Sequence, residues 1–145
     1  MSRAAWFLGA LLASFAHSVT AAVLVDTVWA RATAPGSSVG VVYARILAQQ
    51  ADELLSVDSP AAERAEIHVS SNENGTMKMR PMTSVILPAS KPVRLRPGGI
   101  HVMLIGLRRP LQAGTSFALT LRFRSAAPLT VTARVIGPDD VEPAH

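Results

Sequence analysis

The sequence predicts an all-β fold, a sandwich or Greek-key barrel built as one domain. Three observations lead there. Eight or nine short runs rich in Val, Ile, Leu and aromatic residues follow one another from Val23 to Ile136, separated by Gly, Pro, Asn and Ser. Several alternate apolar and polar residues with a period of two, most cleanly over Phe117, Leu119, Leu121 and Phe123 with Ala118, Thr120 and Arg122 between them. Beyond the N-terminal segment, no window sustains the 3.6-residue apolar period of an amphipathic helix.

Composition agrees with a single globular domain. The chain has 145 residues, 49% of them hydrophobic and 17% charged, which suits one core and argues against disorder. The formal charge is +4. Its basic residues are dispersed, with only Arg108 and Arg109 adjacent, so the basic and aromatic clusters of a nucleic-acid surface are missing. With no cysteine, disulfides, iron–sulfur clusters, thiolate zinc sites and blue-copper centres are excluded.

Residues 1–22 read as a secretory signal peptide. Arg3 supplies the positive start, Ala4 to Ala16 is an apolar run of 13 residues, and Thr20 and Ala22 are the small residues before a cleavage. A membrane span needs about 20 residues. The expected organisation is a signal at 1–22, a β-sandwich domain at 23–136 and a polar, flexible tail at 137–145. No cysteine follows the signal, so the mature protein is expected to be a soluble, unanchored periplasmic monomer.

The elements follow in order. Val23 to Ala30 is a strand ending near Trp29, Ala34 to Ser38 a turn, and Val39 to Leu47 the next strand. Glu53 to Val57 is a short strand, followed by a turn, or a single helical turn, at Ser59 to Ala62. Glu66 to Ser70 and Thr76 to Met82 form a hairpin around Asn74-Gly75, a dipeptide suited to two successive left-handed residues. Pro88 to Pro92 breaks the chain before a brief strand at Val93 to Leu95. Pro97-Gly98-Gly99 then turns into His101 to Leu107, and Phe117 to Phe123 and Leu129 to Ile136 close the series.

Chemistry concentrates between Glu66 and Leu107. That stretch holds two of four histidines and every methionine but the first: His68, Met77, Met79, Met82, His101 and Met103. Imidazole and thioether donors without thiolates suit a soft ion, Cu(I) above others, while zinc gains little from thioethers. His101 and Met103 are two apart, so on a strand they leave the same face, as do Met77 and Met79. The same residues would also serve as core filler in a metal-free exported β-sandwich used for binding or assembly. No nucleophile–base–orienter arrangement points to an enzyme.

The spacing His68, ten residues, Met79, twenty-one residues, His101, one residue, Met103 resembles the signature of the PCu(A)C family of periplasmic copper(I) chaperones, also called DUF461. Val28-Trp29-Ala30-Arg31-Ala32, Gly75 to Arg80 and Leu95 to Leu104 are similar to that family too, and the likeness runs from Asp26 to Ile136. The resemblance implies a cupredoxin-like Greek-key β-sandwich holding one Cu(I) per chain on His68, Met79, His101 and Met103. It further implies a non-enzymatic metallochaperone that passes copper by ligand exchange. The acceptor would be the Cu(A) site of cytochrome c oxidase subunit II or another periplasmic copper carrier. Two departures stand out: Val69 and Ser70 occupy positions where many relatives place a Met after the first His, and the tail offers only His145. Pro97-Gly98-Gly99 is expected to bring His101 near the rim of the site; Arg80, Arg96, Arg108 and Arg109 read first as solvated surface charge, with a basic collar for an acidic partner as the alternative.

Overall fold

The computed structural model describes residues 22–143, so nearly all of the expected signal peptide, His17 within it, and His145 in the tail lie outside the described residues. Ten strands follow in chain order: β1 (Val23–Arg31), β2 (Val39–Ala48), β3 (Asp52–Asp58), β4 (Ala62–Glu73), β5 (Thr76–Pro81), β6 (Val85–Leu87), β7 (Val93–Leu95), β8 (Ile100–Leu107), β9 (Ser116–Phe123) and β10 (Leu129–Ile136). No helix occurs among the described residues. The strands hydrogen-bond in the order β5-β4-β8-β2-β1-β10-β9-β3-β6, with β7 also paired to β2. The path curls so that β3 approaches β4, and the buried faces enclose one core. The expected all-β, cupredoxin-like Greek-key β-sandwich is the observed fold.

Side-chain alternation places that core. On β2 every second residue is buried, including Val42, Ala44 and Ile46. From β8, Val102 and Leu104 point the same way and are fully covered. Leu119 and Leu121 of β9 and Val135 of β10 meet them as the sequence pattern requires. Burying each such Val or Leu side chain contributes about 1.5–3 kcal/mol. Because side chains alternate, the residues between Val102 and Leu104 and on either side of Ile67 must face outward.

Two elements differ from the sequence expectation. β4 extends to twelve residues rather than the five of Glu66 to Ser70, because both β5 and β8 pair along it. β6 was not expected at all: Val85 and Leu87 are buried, yet the run is only three residues long, too short for a period to register. The Asn74-Gly75 turn is as expected. Its φ values of 53° and 82° are both left-handed, and the amide of Gly75 donates to Asn72 Oδ1 at 2.8 Å.

Candidate metal centre

Three neighbouring strands build the site. In the register of β4 and β8, His68 stands opposite His101 and Glu66 opposite Met103. In the register of β4 and β5, Met79 lies opposite Ser70 and Met77 opposite Asn72, with Pro81 opposite His68. Residues directly opposite share a face, and steps of two along a strand keep it. His68, Met79, His101 and Met103 therefore project from one face of the β5-β4-β8 ribbon. Met79 sits one diagonal step from His68. The residues of the spacing motif, separated by up to 35 positions, are brought to one patch.

The two imidazoles hold the inner part of that patch. Their ring centroids are 6.1 Å apart with planes inclined at 48°. His101 is 3% exposed, which corrects the expectation that it reaches the rim. The β8 ladder starts at Ile100, and the His101 ring lies back against the Gly99 carbonyl of the turn before it. Met103 is half-buried, whereas Met79 is 56% exposed. The open side of the patch is thus the β5 side.

Hydrogen bonding assigns each ring a free nitrogen. His101 Nδ1 lies 3.0 Å from the carbonyl oxygen of Gly99, which can only accept, so Nδ1 carries the proton. His68 Nε2 lies 2.9 Å from Glu66 Oε2, an acceptor-only carboxylate, so Nε2 carries the proton there. The remaining atoms, His101 Nε2 and His68 Nδ1, are buried without a hydrogen-bond partner. Only Trp29 Nε1 shares that state among the buried side-chain atoms described. An unsatisfied buried polar atom costs about 1–3 kcal/mol, so two on facing rings mark a place where lone pairs are kept free.

For His101, electrostatics keep the second nitrogen free. Burial pushes the His101 pKa down and so favours the neutral ring; the bond to the Gly99 carbonyl opposes this, and the nearby His68 adds to the lowering. Glu66 is held below the usual carboxylate range, first by its bond to His68 and then by Arg64, whose Nε is 2.8 Å from Glu66 Oε1. Glu66 is thus an ionised group fixing the orientation of His68, the arrangement common behind metal-bound histidine. Sequence reasoning missed it, although its place two residues before His68 on a strand put it on the same face.

The other expected residues separate. Met82 turns inward and packs against the core, its amide bonded to the Ile67 carbonyl. Met77 is 57% exposed on the outer face of β5. The four arginines do not gather into a collar. Arg80 pairs with Glu73, and Arg108 and Arg109 follow the far end of β8, about 20 Å of strand from His101. Arg96 is the one beside the site, its stem lying over Gly99. Among the described residues no group of three or more His, Cys, Asp or Glu converges.

Comparison with known proteins points one way. A family model described as "Putative lipoprotein LpqE-like" matches residues 23–135. The protein named "Putative lipoprotein Lxx21020" from Leifsonia xyli subsp. xyli is 31% identical over 112 residues, which is 75% of this chain and 68% of that one. Among solved structures, the apo PCuAC domain from PmoF1 is 27% identical with a TM-score of 0.67, over 80% of this chain and 94% of that domain. The solution structure of CuI-DR1885 from Deinococcus radiodurans is 28% identical with a TM-score of 0.57, over 80% of both chains.

Proposed function

Because the chain belongs to the LpqE-like family and is a PCuAC domain by its structural likeness, we propose that it is a Cu(I) carrier that holds one ion and passes it on by ligand exchange. The observation that carries this reading is the pair of orphaned nitrogens, His68 Nδ1 and His101 Nε2, on facing rings beside two thioethers. With Met79 and Met103 they make a neutral two-nitrogen, two-sulfur set. Such a set suits a soft monovalent ion and discriminates against hard ones.

The residues divide the work. His101 and Met103 form the buried floor, and His68 is the hinge between floor and rim, oriented by Glu66. Met79 is the exposed ligand, the one an acceptor replaces first. Neutral ligands make exchange a matter of one lone pair substituting for another, with no proton to move. The acceptor we favour is another copper-binding protein of the same compartment, such as the Cu(A) subunit of cytochrome c oxidase. The relatives are named putative lipoproteins, which supports reading residues 1–22 as an export signal. One structural neighbour is named a PCuAC domain and another is a Cu(I)-bound form, which supports a carrier role without a catalytic step.

Anaerobic Cu(I) titration against a chromophoric competitor tests the assignment. The parent should bind one equivalent, and His101→Ala and Met103→Leu should each weaken binding while keeping the β fold. Parental affinity in both variants would refute the ligand set.

A further inference from the structure

Met77 is left over by the four-ligand set, and its placement is unlike that of a packing residue. Met77 and Met79 occupy successive outward positions of β5, opposite Asn72 and Ser70. They are 57% and 56% exposed, while the packing methionine of this region, Met82, lies against the core. All six residues of β5 are exposed, and the strand is a free edge of the sheet. Edge strands are ordinarily protected by charge. Here Lys78 and Arg80 do that on one face, both paired with Glu73, and the other face carries two bare thioethers.

We propose that Met77 and Met79 form an outer, transient soft-metal site through which Cu(I) passes on its way to and from the inner histidines. This rests on the Cu(I)-carrier reading above. Residues two apart on a strand have Cα atoms about 7 Å apart, and methionine has three rotatable side-chain bonds, so both sulfurs can close on one ion. Exposure decreases stepwise from Met77 and Met79, through His68 with its side chain 13% exposed, to His101 at 3%. Met79 belongs to both ends of that path. In the entry step a Met77 sulfur lone pair bonds to the ion as the donor's ligand leaves; in the next, the His68 nitrogen replaces Met77. The ion stays monovalent throughout, and no proton or electron changes hands.

Met77→Leu and Met79→Leu in the full chain distinguish this from a resident or idle Met77. Equilibrium Cu(I) affinity is measured by competition, and exchange with a chromophoric chelator by stopped flow, both without oxygen. Met77→Leu should keep the parental affinity and slow uptake and release together by about tenfold, one ligand's worth of barrier. Met79→Leu should lose affinity as well. Parental exchange rates in Met77→Leu would overturn the proposal, as would a loss of affinity equal to that of Met79→Leu. A parent that binds no Cu(I) would overturn the carrier reading along with it. Both substitutions replace exposed side chains, and matching thermal unfolding of parent and variants checks that the fold is unchanged.

Discussion

His68 and His101 face each other across neighbouring strands with ring centroids 6.1 Å apart, and each keeps one buried ring nitrogen free of any hydrogen bond. The partner of the other nitrogen decides which one is free. For His101 that partner is a backbone carbonyl, but for His68 it is the side chain of Glu66, which mutation can remove.

Glu66→Ala should therefore weaken Cu(I) binding although Glu66 is not a ligand. Loss of an orienting carboxylate behind a metal-bound histidine typically costs about 10–100-fold in affinity. Competition titration reads this directly. Unchanged affinity would show that the packing around His68 orients the ring without the carboxylate.

The Asn74-Gly75 turn sets which face Met79 occupies. Gly75 sits at φ 82° with open space around it, so an added Cβ meets no neighbour and only the backbone resists. Gly75→Ala should cost about 1–2 kcal/mol from the left-handed conformation alone, visible as a lower unfolding temperature. A slip of one residue in the β4–β5 register would turn Met79 to the opposite face. Loss of Cu(I) affinity beyond the stability loss would reveal such a slip.

Asp52 links the fold to pH. Burial pushes its carboxyl up, but the backbone amides of Glu53, Ala126, Ser125 and Arg124 outweigh this and hold it below its ordinary value of 3.8. Three of those bonds measure 2.8–3.0 Å. A depressed folded value means the stabilisation is whole above the unfolded value and is lost as pH falls through the folded one. Asp52→Asn should lower stability at neutral pH by about 1–3 kcal/mol. Its stability should also fall less steeply than the parent's below pH 3.8. Parallel acid-unfolding curves for the two proteins would contradict this.

Exposed thioethers oxidise first. Mild peroxide should convert Met77 and Met79 to sulfoxides before Met82 and Met103, since only the first two are widely exposed. Cu(I) affinity, measured after the peroxide is removed, should fall as Met79 reacts. Peptide mass mapping over a time course follows each residue. Equal rates at all four positions would mean that β5 does not hold its methionines apart from the core.

Much of this was legible in the sequence, for a physical reason. Period-two alternation in Phe117 to Phe123 and Leu129 to Ile136 reports burial directly, because one face of each strand meets the core. Asn74-Gly75 announces its hairpin through the only conformation both residues favour. The spacing of His68, Met79, His101 and Met103 is compatible with strands, and the register does place them on one face. What the sequence hid depends on pairing between distant segments. β6 is three residues long and gains its place from β3, and the depth of His101 cannot be read from an alternation that faces its side chain away from the core. The place of the arginines was hidden in the same way, since which end of β8 Arg108 and Arg109 follow is set by the strand and not by their distance in sequence from His101.

The central claim is a two-nitrogen, two-sulfur Cu(I) site, and X-ray absorption at the copper edge on the Cu(I)-loaded protein tests it most directly. A first shell of two imidazole nitrogens and two thioether sulfurs is expected, with one sulfur lost in Met103→Leu. A shell of nitrogen and oxygen alone, or one unchanged by that substitution, would contradict it.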